Sequence, residues 1–247
     1  MSLISIAIVA FMVLVTSFIS GVFGMAGGMI LMGGLLFLMP VASAMVLHGF
    51  TQMASNGWRA ILWRRHIVWS IVLRYVLGMV AAAGLFSLLR FAPAQSMVFL
   101  FLGLIPFIAL AIPARIVPQA DKRGGAELTG LLCTSLQLMA GVSGPALDIF
   151  FVRSHMDRRA VVATKAASQS LSHLTKLLYF GFVVHSTDAA QVPGWVILGC
   201  IALAMAGTTS SRLVLEKLTD HSFRRYSRWI VSLIGVVYIF KALTTLH

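Results

Sequence analysis

Apolar residues run through this chain in long blocks, and the polar interruptions are short. The blocks fall at 3–23, 25–39, 42–63, 67–89, 95–114, 127–140, 145–152, 160–183, 193–211 and 229–246. Several reach the roughly 20 residues that a helix needs to span a bilayer. The pattern therefore predicts an all-α, polytopic membrane protein. Two blocks are too short to span. They are 127–140 and 145–152, separated by the break inside "AGVSGPALDIFF", residues 140–151. That stretch places two glycines, a proline and an aspartate in a chain with only seven acidic residues.

Composition agrees with the pattern. The chain is 59% hydrophobic and 11% charged, with a mean hydropathy of +0.94. No soluble domain of this size hides so much apolar surface, and no room remains for a separate soluble domain. The net charge of +12 raises the question of nucleic acid. The basic residues sit in short loops without interleaved aromatics, however, which is the positive-inside pattern together with attraction to anionic lipid. A nucleic-acid partner is not expected. Cys133 and Cys200 lie in separate apolar blocks without CxxC spacing, so neither a disulfide framework nor a zinc site is indicated. The N-terminus lacks a basic leader and a small-residue cleavage site, and it reads as a retained membrane segment.

The first half carries its own break, "GVFGMAGGMILM". Laying Gly24 on Gly141 gives an offset of 117 residues. Gly27 then falls on Gly144, Thr51 on Ser168, Gln52 on Gln169, Ser55 on Ser172 and Arg59 on Lys176. Polar residues inside membrane segments are costly, so the polar matches weigh more than the glycines. Loop charges orient the halves. Arg64 and Arg65 form one basic loop; Arg115, Lys122 and Arg123 form another; Arg153, Arg158 and Arg159 form a third. A fourth holds Arg212, Lys217, Arg224, Arg225 and Arg228, whereas the 184–192 loop has no Lys or Arg. With basic loops in the cytoplasm, 42–63 runs inward and its partner 160–183 runs outward. The expected organisation is two inverted membrane repeats, 1–114 and 127–247, joined by a basic cytoplasmic linker, 115–126. Each repeat is a broken or re-entrant helix pair followed by three membrane helices, a transporter pattern with its site near the midplane.

A break inside lipid leaves backbone groups unpaired unless protein or a water-filled cavity meets them. Glycine allows the turn, and Pro145 suits the start of a new helix. Half-helices starting at Gly27-Gly28 and at Gly144-Pro145 would aim free N–H groups and positive dipole ends at a cavity, which suits an anion. The alternative is that the glycines only let helices pack closely. On the following helices, His48, Gln52, Ser55 and Arg59 share one face, as do Lys165, Gln169, Ser172 and Lys176. Thr51 and Asn56 flank the first stripe, Ser168 and His173 the second. Amide and hydroxyl donors with a nearby cation match an oxyanion. Arg59 and Lys176 could instead snorkel to the headgroups, and the glutamines could serve only to join helices. In this topology Arg59 lies toward the cytoplasm and Lys176 toward the outside, as attracting charges at the two mouths.

Asp148 has no acidic partner in the first half, where Leu31 takes its place. Three readings stand beside each other. It pairs with Lys165 or Lys176, it carries a coupling proton, or it caps the broken helix. His173 and His48 are further candidates for a proton.

The glycine-rich breaks, "GVSGP", "TQMASNGWR" and "ATKAASQSLSHLTKLLYFG" resemble the TauE/SafE, or sulfite exporter, family of membrane permeases over essentially the whole chain. The resemblance implies export of sulfur-containing anions (sulfite, sulfoacetate or related organosulfonates) across the bacterial inner membrane. No cofactor is expected. On that reading the substrate-binding candidates are Gly24, Gly27, Gly28, Thr51, Gln52, Ser55, Asn56, Arg59, Gly141, Ser143, Gly144, Pro145, Gln169, Ser172, His173 and Lys176. Asp148, His48 and Lys165 are the candidates for proton coupling or ion pairing. A homodimer is a further expectation.

Rivals from other classes fare worse. An integral-membrane enzyme would need a catalytic set, yet the chain has no HExxH, no GxSxG and no paired carboxylates. Its histidines are scattered, so no metal site is claimed. A cation carrier would want intramembrane acids rather than several cations. A permease for another organic anion stays open.

Overall fold

The structure is a computed structural model that describes residues 2–23, 26–151, 154–184, 192–215 and 220–245. Gly24, Arg153, Lys217 and most of the 184–192 loop lie outside the described residues, as do the side chains of Arg212, Arg224, Arg225 and Arg228. Among the described residues the chain is helical throughout. The first half holds α1 (Leu3–Phe23), α2 (Ala26–Leu38), α3 (Val41–Leu62), α4 (Trp69–Leu89) and α5 (Gln95–Ala111). The second holds α6 (Gly125–Ala140), α7 (Gly144–Phe151), α8 (Arg158–Leu178), α9 (Gly194–Ser210), the short α10 (Arg212–Leu215) and α11 (Asp220–Thr245).

The helices follow the apolar blocks closely, although the short α10 has no block of its own. α11 starts nine residues before the apolar block at 229, because hydropathy marks only the part of a helix suited to lipid. α6 starts at Gly125, so the expected linker 115–126 gives its last residues to that helix. Beyond Leu178, α8 continues as a wider π-turn over Tyr179–Val183.

Polarity is arranged inside out. α4 exposes Trp69, Leu73, Leu77, Val80 and Leu88 while burying Ile71, Tyr75, Gly78, Met79 and Ala82. Leu198 on α9 and Leu233 and Phe240 on α11 also face outward. In water such a surface would drive association, whereas in a bilayer it is simply solvated. By length and composition, α1 and α4 each suffice to cross a membrane. α3 and α8 are as long but more polar. Their polar side chains point inward: His48, Thr51, Gln52, Ser55 and Asn56 on α3, and Thr164, Ser168, Ser172, His173 and Lys176 on α8, are all buried.

Elements of one half pack on elements of the other in matching ways. α4 packs along α6, and α9 packs along α1. Both contacts are close because a glycine faces backbone. A Cβ on Gly78 would lie 2.6 Å from the Leu131 nitrogen, and one on Gly207 would lie 2.6 Å from the Leu14 oxygen. α5 packs on α11 through facing glycines, where a Cβ on Gly103 would lie 2.8 Å from Gly235 O and one on Gly235 would lie 2.9 Å from Gly103 O. α3 packs on α8 at the centre. Lys176 meets His48, and Ser170 donates to Met53 O, so later residues of one helix meet earlier residues of the other. The two helices are antiparallel.

Candidate functional site

The second break is built by Gly141. It closes α6 in the left-handed conformation (φ +77°), and its N–H donates to Gln137 O. A side chain there would be strained and would also press on the sulfurs of Met32 and Met45, 2.7 and 2.9 Å from a Cβ. Val142 and Ser143 make the connection and α7 begins at Gly144, with Pro145 as its second residue. Leu147 N–H is bonded to Ser143 O. The earlier N–H groups of α7 have no partner within the helix.

Between this break and the start of α2 lies a cavity with about 300 Å³ of empty space, its mouth included. Ser20, Gly28, His48, Gln52, Asn56, Val142, Ser143, Gly144, Gln169 and His173 line it. Eight of these ten are residues that the sequence singled out. The two glycines of the first break divide. Gly28 faces the cavity, with a Cβ there 3.4 Å from Gln52 Oε1. Gly27 instead packs against the backbone of α1, 2.6 Å from Ser20 N on the same measure. Close packing is what Gly27 does.

Two hydrogen-bonded groups form the wall. His48 Nε2 donates to Gly28 O at 2.9 Å, which leaves Nδ1 as the acceptor for Lys176 Nζ at 2.7 Å. Lys176 also donates to Gly141 O at 3.0 Å. Its side chain is wholly buried, so it neither snorkels nor stands at an outer mouth. The helix before it carries its stem into the interior, and its amine end sits just behind the cavity against the carbonyl end of α6. Opposite, Gln137 Nε2 donates to His173 Nδ1 at 2.6 Å, and Ser143 Oγ donates to Gln137 Oε1 at 3.2 Å. The two imidazoles lie 5.5 Å apart. Among the described residues, the buried Gln52 Nε2 has no hydrogen-bond partner.

Other candidates are placed elsewhere. Ser55 bonds Thr208 of α9 at 2.7 Å, and Ser172 bonds Tyr75 of α4 at 2.7 Å. Thr51 bonds carbonyls of its own helix, and the buried Ser168 Oγ has no partner among the described residues. Arg59 is half-buried and donates to Ser20 O at 3.2 Å, which ties the C-terminal end of α3 to α1. Asp148 is ion-paired with Lys165, the first of its three readings, so its carboxylate does not face the cavity wall.

A protein-family model described as sulfite exporter TauE/SafE matches residues 9–238. The chain belongs to the TauE/SafE family. The members of that family are integral membrane transporters rather than enzymes, in keeping with the apolar exterior and the polar interior. No curated protein and no solved structure gave a significant match.

Some of the site escaped the sequence reading. Ser20 and Gln137 both shape the cavity, yet neither belongs to the stripes on α3 and α8. At the offset of 117 residues they are the same position, each four residues before its break, and that register was the signal for them. Tyr75 and Thr208 hold the stripe serines from distant helices, and nothing in local spacing points to them.

Proposed function

We propose that this TauE/SafE member exports a small sulfur-containing oxyanion, such as sulfite, sulfoacetate or a related organosulfonate, by alternating access between two inverted halves. The packing supports the inversion. Exchanging α1–α5 for α6–α9 and α11 maps the α1–α9 contact onto the α4–α6 contact. The same exchange returns the antiparallel α3–α8 and α5–α11 pairs onto themselves. A fold of this kind can rock one half against the other while its midplane site stays intact.

The observation that carries the substrate class is the donor balance of the cavity. Gln52 Nε2 is buried and unpartnered, Gln169 and His173 line the same space, and the start of α7 adds backbone N–H groups. A buried amine, Lys176, stands behind them, and Asp148 on α7 is held by Lys165. Amide, imidazole and backbone N–H donors gathered on one cavity, beside an amine that can take up a proton, suit an oxyanion.

The test is thermal stabilisation of the purified protein across sulfite, sulfoacetate, taurine, thiosulfate, sulfate and simple carboxylates, with the Gln52→Ala/Gln169→Ala variant as control. A selective shift with a sulfur oxyanion, lost in the double variant, is the expected result. A carboxylate-selective shift would move the substrate to another organic anion. No shift with any anion would overturn the binding reading.

A further inference from the structure

The Lys176–His48 pair joins residues from the two halves of the chain and uses hydrogens in a countable way. Gly28 O can only accept, so His48 Nε2 carries a hydrogen and Nδ1 is left to accept from Lys176. Lys176 Nζ donates twice, to His48 Nδ1 and to Gly141 O. A neutral amine has two hydrogens and satisfies both bonds. An ammonium has a third N–H, for which no further acceptor stands among the described residues. It also brings a full charge into a wholly buried position where, among the described residues, no carboxylate meets it. Such a charge is costly unless a counter-charge arrives. The cavity lined by His48 is where a counter-charge would arrive.

We propose that the Lys176–His48 pair is the proton site of the transporter: it takes up one proton from water when an anion fills the cavity and returns it when the anion leaves. The proposal rests on the anion-binding reading above and names the group that carries the coupled proton. The balance is simple. One proton joins the Nζ lone pair, no bond to carbon changes, and the ammonium faces the bound anion across the imidazole. Linkage is reciprocal, so an anion that draws in a proton is itself held more tightly where protons are plentiful.

The surroundings leave few rivals for that proton. α1 and α2 carry no titratable side chain. On α8, His173 lies within 5.5 Å of His48, with Nδ1 already accepting from Gln137. The phenols of Tyr75 on α4 and Tyr179 beyond α8 are committed to Ser172 and to the Phe86 and Phe91 carbonyls. Asp148 of α7 is paired with Lys165, toward the Arg59 end of the α3–α8 contact. The thiols on α6 and α9, Cys133 and Cys200, are buried and bring no positive charge near the cavity.

Calorimetric titration of the purified protein with thiosulfate and with sulfoacetate, in buffers of different ionisation enthalpy near neutral pH, counts protons taken up per anion bound. Both probes are fully ionised there, so any proton comes to the protein. About one proton per anion is expected for the wild type, falling to near zero in Lys176→Gln. Lys176→Arg, whose charge is fixed, is expected to take up none at whatever affinity it retains. Wild-type binding without uptake, or uptake unchanged in Lys176→Gln, overturns this proposal and leaves anion binding standing. No binding of either probe to the wild type overturns both.

Discussion

Lys165 and Asp148 form an ion pair that ties the short helix α7 to α8, with about a quarter of one side chain and a third of the other exposed. The pair fixes the half-helix whose N-terminus opens on the cavity, and it keeps the carboxylate from an incoming anion. Asp148→Asn would leave the Lys165 charge without its partner. A loss of about 1–3 kcal/mol of stability is expected, smaller than for a fully buried pair. Thermal unfolding in detergent measures it. The double variant Asp148→Asn/Lys165→Gln is expected to regain stability and to keep transport. Abolished transport in a well-folded double variant would return the coupling proton to Asp148.

Gln52 and Gln169 occupy the same register position in the two halves, and both line the cavity. Each Gln→Ala change removes a donor to a charged ligand, a bond worth about 1.5–3 kcal/mol. Anion affinity is expected to fall roughly 10- to 100-fold for each, with little change in the unfolding temperature of the ligand-free protein. Equal affinity in the wild type and both single variants would remove the glutamines from the site.

Ser55 and Ser172 lie on the same stripes but face away from the cavity, toward Thr208 and Tyr75. Ser55→Ala and Ser172→Ala are expected to cost stability, about 1 kcal/mol each, and to leave anion affinity unchanged. A selective fall in affinity without loss of stability would place them back among the binding residues.

Arg59 and Lys176 share a repeat position but differ in setting: Arg59 is half-buried and bound to Ser20 O, whereas Lys176 is wholly buried behind the cavity. Lys176→Ala is therefore expected to weaken anion binding from either side of the membrane. Arg59→Ala is expected to slow entry from the cytoplasmic side alone. Uptake into right-side-out and inverted vesicles separates the two. Effects of equal size on both sides for Arg59→Ala would end its role as a cytoplasmic entry charge.

Gly103 and Gly235 bring α5 and α11 together at backbone contact. Gly103→Leu cannot be accommodated without separating the helices and is expected to cost about 2–3 kcal/mol or more. Reduced recovery of folded protein and a lower unfolding temperature are the readout. Gly84→Leu, at a position with nothing within contact distance of a Cβ, is the control expected to behave as wild type.

The sequence alone determined the helices, the two breaks and most of the cavity lining. These are recorded locally: apolar length fixes which segments can sit in lipid, and glycine with proline marks where a helix must stop and restart. A polar side chain in an apolar segment is costly enough to signal that something is done with it, which is why Gln52, Gln169 and His173 were legible. Their repetition at one offset added a second, independent signal. Only the tertiary structure decided which polar residues face the cavity and which face another helix. Ser55 and Ser172 sit on the same stripes as the glutamines, and their partners come from helices far along the chain. It also decided that Lys176 is not a mouth charge. Register could place it one turn from a helix end, but burial depends on what packs over that turn, and there the packing sets His48 and the Gly141 carbonyl against it.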